Sequence, residues 1–159
     1  MSDEKKSSWD EPRHAKFTHE EDVAFLRRAI LVNEDKEVVL EQENREISEH
    51  ICTGHAETSL MEAASRKFDH DYLWQCTLYT TGEPCAMCSG AIYWGNVGRV
   101  VYAMTERDIL SQTGDNEQNP TLDTPCRQIF GSSQKDIEVV GPFPELVEEA
   151  CEVHTGYWG

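Results

Sequence analysis

Two short stretches of the chain carry residue types that can do chemistry together. One is Gly54-His55-Ala56-Glu57, the other Glu83-Pro84-Cys85-Ala86-Met87-Cys88. One imidazole and two thiolates can hold a Zn²⁺ and leave its fourth position open, which is the layout of a catalytic rather than a structural zinc. Zinc lowers the pKa of water in that position toward ~7 and makes hydroxide available. Glu57, two residues from His55, is placed to move protons there. The expected reaction is hydrolysis, with Glu57 moving the proton of the water toward the leaving group. The main-chain N–H of Ala56 or of Cys85 would hold the oxygen as it forms.

Two blander readings compete. Cys85-x-x-Cys88 alone is also the spacing of a redox pair, or of half a structural zinc site completed by Cys52, Cys76 or His50. A structural site, however, gives Glu57 nothing to do, and Cys76 falls in a stretch that reads as a buried strand. A non-catalytic zinc-binding module is the form this alternative would take.

The elements that must position these residues follow from periodicity and stop signals. Thr18-His19-Glu20-Glu21 is a capping box, and Val23, Leu26 and Ile30 recur at helical spacing, which predicts a first helix over 19–30. Ile30 then runs straight into Leu31-Val32, which reads as a strand, without the Gly, Pro or Asn that usually ends a helix. Asn33 to Lys36 is a turn, and 37–43 pairs back as a second strand. A polar loop leads to Gly54, and His55 opens a helix whose Leu60, Met61, Ala64 and Phe68 share a face and which ends at Asp69-His70-Asp71. Residues 74–80 form a buried strand, Pro84 suits an early helix position, and 85–94 is the next helix. Cys85 and Cys88 therefore share a face at a helix N-terminus, where the dipole favours thiolate. Residues 99–104 and 137–140 are strands, with short helices near 106–112 and 124–130. Thr113 to Leu122 is a polar loop and a candidate pocket wall. A last helix from Pro144 carries Leu146, Val147, Ala150, Cys151 and His154 on one stripe. The fold class is α/β: a three-layer sandwich with a mixed sheet of about five strands flanked by helices. Residues 1–17 read as a polar arm, with Trp9 as a possible anchor, and 18–159 as one domain.

Composition narrows the partners. The 159 residues hold 14 Lys and Arg against 30 Asp and Glu, a net charge of −16 and a pI near 4.6. Such a surface repels a phosphate backbone, so nucleic acid is not the expected partner. Mostly the acidity reads as a solvated surface. No stretch approaches the ~18 apolar residues of a membrane span, and the N-terminal residues lack an apolar signal core, so the expected setting is cytoplasmic.

The motifs His55-Ala56-Glu57 and Glu83-Pro84-Cys85-Ala86-Met87-Cys88, with Gly90-Ala91-Ile92-Tyr93-Trp94 after them, resemble the cytidine/deoxycytidylate deaminase superfamily, closest to the branch of guanine deaminases and tRNA adenosine deaminases. The resemblance covers 31–104 well and the flanks weakly. It implies a zinc-dependent hydrolytic deaminase acting on a small heterocyclic substrate, a guanine-like or aminopyrimidine base or nucleoside. It implies zinc on His55, Cys85 and Cys88, with Glu57 as the proton carrier. Asn44, eleven residues before His55, would hydrogen-bond the base, though alone it reads as a strand-end turn residue. The carbonyl of Glu83 would face the leaving amino group. Trp94 is a candidate pocket wall or a core aromatic. Asp115 and either Tyr157 or Trp158 would help close the pocket, the aromatic reaching in from a partner subunit of a homodimer. A tRNA adenosine deaminase is the alternative, and the acidity opposes it. One departure stands out: relatives carry a Pro-Phe-Gly-Ala-type loop between the first helix and first strand, which is missing at Ile30-Leu31; either a segment is left out of the sequence there, the favoured reading, or the loop is deleted, which would leave a more open pocket.

Overall fold

The protein is described by a computed structural model covering residues 9, 11–26, 29–113 and 122–148. Five strands form one sheet in the order β2-β1-β3-β4-β5, with β1 Ile30–Val32, β2 Val38–Glu41, β3 Thr77–Gly82, β4 Arg99–Met104 and β5 Glu138–Val140. β1 runs antiparallel to both β2 and β3, whereas β3, β4 and β5 are mutually parallel. The sheet is thus mixed. Alternation along its strands sorts the core into two layers. Leu31, Leu78, Val100 and Tyr102 point to one face, where they meet α2 Ala56–Lys67, α3 His70–Trp74, α4 Ala86–Gly95 and α6 Cys126–Gly131. Ile30, Val32, Tyr79, Val101 and Ala103 point to the other, against residues of the α1 side and of α5 Glu106–Thr113. Because both faces are covered, the central strands are apolar throughout: all six residues of β4 are buried. The three-layer architecture is the one that the sequence pattern predicts.

The differences are local. α1 spans His19–Phe25 rather than 19–30: Leu26 caps its C-terminus, and β1 already begins at Ile30. Trp74, expected in a strand, ends α3 instead. The Asp69 side chain accepts from the N–H of Tyr72 and so starts a helix where Asp69-His70-Asp71 reads as an end. Near the C-terminus the last helix opens with a 3₁₀ turn, Pro144–Leu146, that passes into α-helix at Val147 and Glu148; Ala150, Cys151 and His154 lie outside the described residues. Trp9 docks: its ring lies 5.5 Å from that of Trp74, whose indole N–H donates to the carbonyl of Glu11.

α2 and α4 cross closely over the sheet. At Gly95 a Cβ would meet Met61 Cε, the movable end of a long side chain reaching across from α2. Their N-termini consequently meet, beside the carboxyl ends of β3 and β4. That edge of a parallel sheet is where α/β proteins place ligands.

Candidate active site

His55 is the N-cap of α2 and Cys85 the N-cap of α4. Each stretch leaves a strand or loop in extended backbone and turns into its helix at the functional residue. Gly54 makes the first turn possible: a Cβ there would stand 3.1 Å from the backbone of Arg45, Glu46 and Ile51. The N–H of Arg45 donates to the Gly54 carbonyl at 2.7 Å, so segment 44–46 lies alongside the histidine.

The structure brings His55, Cys85 and Cys88 together, with their ligand atoms all within 4.8 Å of one another. Nδ1 of His55 lies 3.7 Å from Cys85 Sγ and 3.5 Å from Cys88 Sγ. A tetrahedral zinc with bonds of about 2.0 Å to nitrogen and 2.3 Å to sulfur would need N···S separations of about 3.6 Å. These three residues therefore fit the metal by spacing as well as by donor type. Hydrogen bonds from Cys88 and His55 hold the Cys85 thiol far below its ordinary range, to about 4, against the effect of burial. The Cys88 thiol moves up, being hydrogen-bonded to Cys85 and buried. The His55 ring is raised, first by its contact with Cys85. Its far nitrogen, Nε2, faces Glu46 Oε2 at 3.4 Å. Cys76 takes no part: it is buried, donates to the carbonyl of Tyr72, and burial pushes its thiol up to about 12.

Glu57 lies in the first turn of α2 with its carboxylate turned toward the three ligands. Oε2 is 3.7 Å from Cys88 Sγ, and Oε1 accepts from the Thr80 hydroxyl at 2.7 Å. Burial raises its pKa, and the hydrogen bond from Thr80 opposes that. Thr80 is a residue that sequence reasoning missed, since a threonine near the end of a strand carries no signal of its own.

The remaining predicted residues divide. Asn44 sits on the segment beside Gly54, and its Oδ1 accepts from the N–H of Glu46 at 2.8 Å. Asn44 also lines an open cleft of about 520 Å³ with Glu41, Gln42, Glu43, Arg45, Ser48 and Glu49, a cleft that does not include the three metal-site residues. Ala56 is the first residue of α2, where helix geometry leaves its N–H without an intrahelical acceptor. The Glu83 side chain is 6% exposed, and its carboxylate accepts from the N–H of Glu106 at 3.1 Å and of Cys126 at 2.9 Å. It thus ties the end of β3 to the starts of α5 and α6, a role the sequence did not suggest. Trp94 does not join the others. It occupies the last turn of α4, the end remote from Cys85, 74% exposed and edge-on to Tyr93. Asp115, Tyr157 and Trp158 lie outside the described residues. Glu106, at the start of α5, is a second acid the sequence did not single out. Burial, and then the negative charges of Cys85, Glu83 and Glu57, push its carboxyl up to about 7.

With this geometry in hand, comparison with known proteins is specific. The sequence model of the cytidine and deoxycytidylate deaminase zinc-binding region matches residues 13–104. The chain is 35% identical over 156 residues to a probable cytosine deaminase of Schizosaccharomyces pombe, covering 87% of this chain and 93% of that protein. It is 36% identical to the guanine deaminase of Bacillus subtilis over 80 residues, 50% of this chain and 51% of that one. Among solved structures, the guanine deaminase of Nitrosomonas europaea superposes with a TM-score of 0.64 over 94% of this chain and 88% of its own, at 21% identity, a likeness of fold.

Proposed function

The chain belongs to the cytidine and deoxycytidylate deaminase family, and from that premise we propose that it removes the amino group of a small nucleobase or nucleoside by hydrolysis, releasing ammonia. The ring is an aminopyrimidine or a guanine-like purine, as in the relatives from Schizosaccharomyces pombe and Bacillus subtilis. One observation carries the reading: a His-Cys-Cys cluster at zinc spacing with a glutamate oxygen 3.7 Å from one of its sulfurs.

His55, Cys85 and Cys88 would hold the zinc, which when bound supplies hydroxide near neutral pH. Glu57 does the proton work. Thr80 anchors Oε1, so Oε2 is the oxygen that exchanges protons. It receives the first proton of the attacking water and passes it to the ring nitrogen next to the amino-bearing carbon, then takes the second proton from the hydroxyl now on that carbon and hands it to the departing amine. One water is consumed; the ring keeps its oxygen as a carbonyl and the amine leaves as ammonia. A carboxyl held above its usual range by burial suits this duty, because it must be both base and acid in one turnover. The N–H of Ala56 at the start of α2 donates to the developing oxygen, and Asn44 donates from Nδ2 to the ring.

A tRNA substrate fits poorly. The net charge of −16 opposes a polyanion, and the cleft beside Asn44 is lined by Glu41, Glu43 and Glu49. The proposal includes a homodimer, as the family resemblance implies, and a cytoplasmic setting, where reducing conditions keep thiols available for metal; all five cysteines among the described residues are free. No helix among the described residues is long and apolar enough to cross a membrane.

An ammonia-release screen over guanine, adenine, cytosine, isocytosine, triazines related to melamine and the matching nucleosides tests the substrate class. Glu57→Ala is expected to abolish release while the zinc content stays at wild-type level. Turnover that survives in this variant would overturn the assignment of Glu57.

A further inference from the structure

An acid that the sequence did not single out stands behind His55. Oε2 of Glu46 lies 3.4 Å from Nε2 of the ring, while Nδ1 is the nitrogen turned to the two sulfurs. The helix that His55 opens does not hold this ring, because as N-cap of α2 it makes no side-chain capping hydrogen bond. Glu46, by contrast, is built in. Its N–H donates to Asn44 Oδ1 at 2.8 Å, and its carbonyl accepts from the Ile51 N–H at 3.1 Å. One residue earlier, the Arg45 side chain clamps the loop to α2. Its Nε donates to Ser59 Oγ and its terminal nitrogens to Glu49 and Glu62, each at 3.0 Å. Ser59 and Glu62 lie one and two turns beyond His55 on α2. The main chain of Glu46 is thus fixed relative to the ring. No other hydrogen bond or ion pair engages the Glu46 carboxylate among the described residues.

A neutral imidazole carries one N–H and one lone pair, and only the lone pair binds a metal. With Nδ1 turned to the thiols, the proton belongs on Nε2, where it needs an acceptor. Glu46 Oε2 is in place to be that acceptor. The contact is roughly a few tenths of an ångström longer than an ordinary N–H···O bond, a gap that rotation of a carboxylate with no other polar partner closes. An anionic acceptor behind a metal-binding histidine fixes which nitrogen is free and makes the ring a stronger donor. Water reaching the ring would also accept the proton, but it would bring neither the charge nor the fixed backbone.

We propose that Glu46 is a positioning residue for the metal centre: its carboxylate holds the Nε2–H of His55, keeps Nδ1 free for zinc, and so strengthens retention of the metal. This deepens the deaminase reading above and rests on it, since that reading supplies the zinc. It also joins the two halves of the site. The residue whose side chain faces His55 gives its N–H to Asn44, the residue assigned to the substrate ring.

The test titrates zinc back into the metal-free wild type, Glu46→Leu and Glu46→Gln, in competition with a chromogenic chelator. Glu46→Leu is expected to bind zinc about 10- to 100-fold more weakly. Glu46→Gln keeps an acceptor oxygen on a stem of the same length and is expected to recover most of that loss. The metal-free Tm of both variants stays within about 2 °C of wild type, because the contact serves the ring and not the core. Wild-type affinity in Glu46→Leu would show that solvent serves the ring equally well; the inference would fall and the deaminase would stand. Equal losses in both variants, with a matching fall in metal-free Tm, would make Glu46 a brace of its own loop and would overturn the inference as well. A wild-type chain that takes up no zinc would instead remove the metal reading from which both proceed.

Discussion

Glu57 can shuttle protons only if one of its oxygens is kept still, and the residue that does so is Thr80. The hydroxyl donates at 2.7 Å to Glu57 Oε1 and also lies 3.1 Å from the carbonyl of Gly82, so its proton is shared at the very end of β3. Removing that donor leaves a buried carboxylate short of a partner, a loss of about 1–3 kcal/mol. Thr80→Val, nearly the same shape, is therefore expected to lower kcat about 5- to 150-fold with zinc content unchanged, whereas Thr80→Ser retains most of the rate. Wild-type turnover in Thr80→Val would show that the hydroxyl does not orient the glutamate. The cluster of His55, Cys85, Cys88 and Glu57 was legible in the sequence because its members lie in two compact motifs whose internal spacing is set by a single helical turn. Thr80 was not. It acts through Glu57, 23 residues away in another element, and a threonine is not unusual where it stands. Asn44 is intermediate: its spacing to His55 pointed to it, but only the structure shows its Oδ1 taken by the Glu46 N–H.

At the scale of elements, α1 poses a problem of stability. Seven residues and a capping box do not make a helix that stands alone in water. What pins it to the sheet is Asp22, 3% exposed, whose two oxygens take the Arg99 guanidinium of β4 at 2.9 and 2.7 Å while the Tyr79 hydroxyl of β3 donates at 2.6 Å. The Phe17 ring stacks beneath that guanidinium with 5.0 Å between its centroid and the Arg99 Cζ. Removing Asp22 leaves Arg99 with Glu138 Oε2, 2.8 Å from its Nε, as its acidic partner, so Asp22→Ala is expected to lower the unfolding free energy in urea by about 1.5–3 kcal/mol, whereas the double change Asp22→Leu, Arg99→Met recovers most of it. A loss no larger than about 1 kcal/mol for the single change would mean that water reaches Arg99. None of this network was legible in the sequence. Asp22 is one of 30 acidic residues, and its partner lies 77 positions away; only burial separates it from the solvated ones. The sheet itself was legible, since strands covered on both faces read as apolar runs. The end of α1 was misjudged because Ile30 keeps the helical period, although it belongs to β1 and packs on the sheet face opposite Leu31.

For the whole molecule, the question is what the metal contributes to folding as distinct from chemistry. The candidate ligands come from two helices that already touch, and behind them lie two apolar clusters, neither of which includes a ligand. Residues such as Leu31, Leu78, Val100 and Trp74 are fully buried without any help from the site. The fold should therefore survive metal loss, with the metal adding stability by mass action. Zinc present at a thousandfold over its Kd stabilises by about 4 kcal/mol, which for a chain of this size corresponds to roughly 10 °C in Tm. Dialysis against a strong chelator is expected to abolish ammonia release and to lower Tm by that order, with far-UV circular dichroism at room temperature unchanged. Adding Zn²⁺ restores both, and Mg²⁺ restores neither, because two thiolates and an imidazole are a poor match for a hard cation. Collapse of the circular dichroism spectrum on chelation would make the zinc structural, and would revive the reading in which Cys85 and Cys88 merely hold the chain together. Intact release after the metal is gone would leave Glu57 without a nucleophile to deprotonate, and the assigned chemistry could not stand.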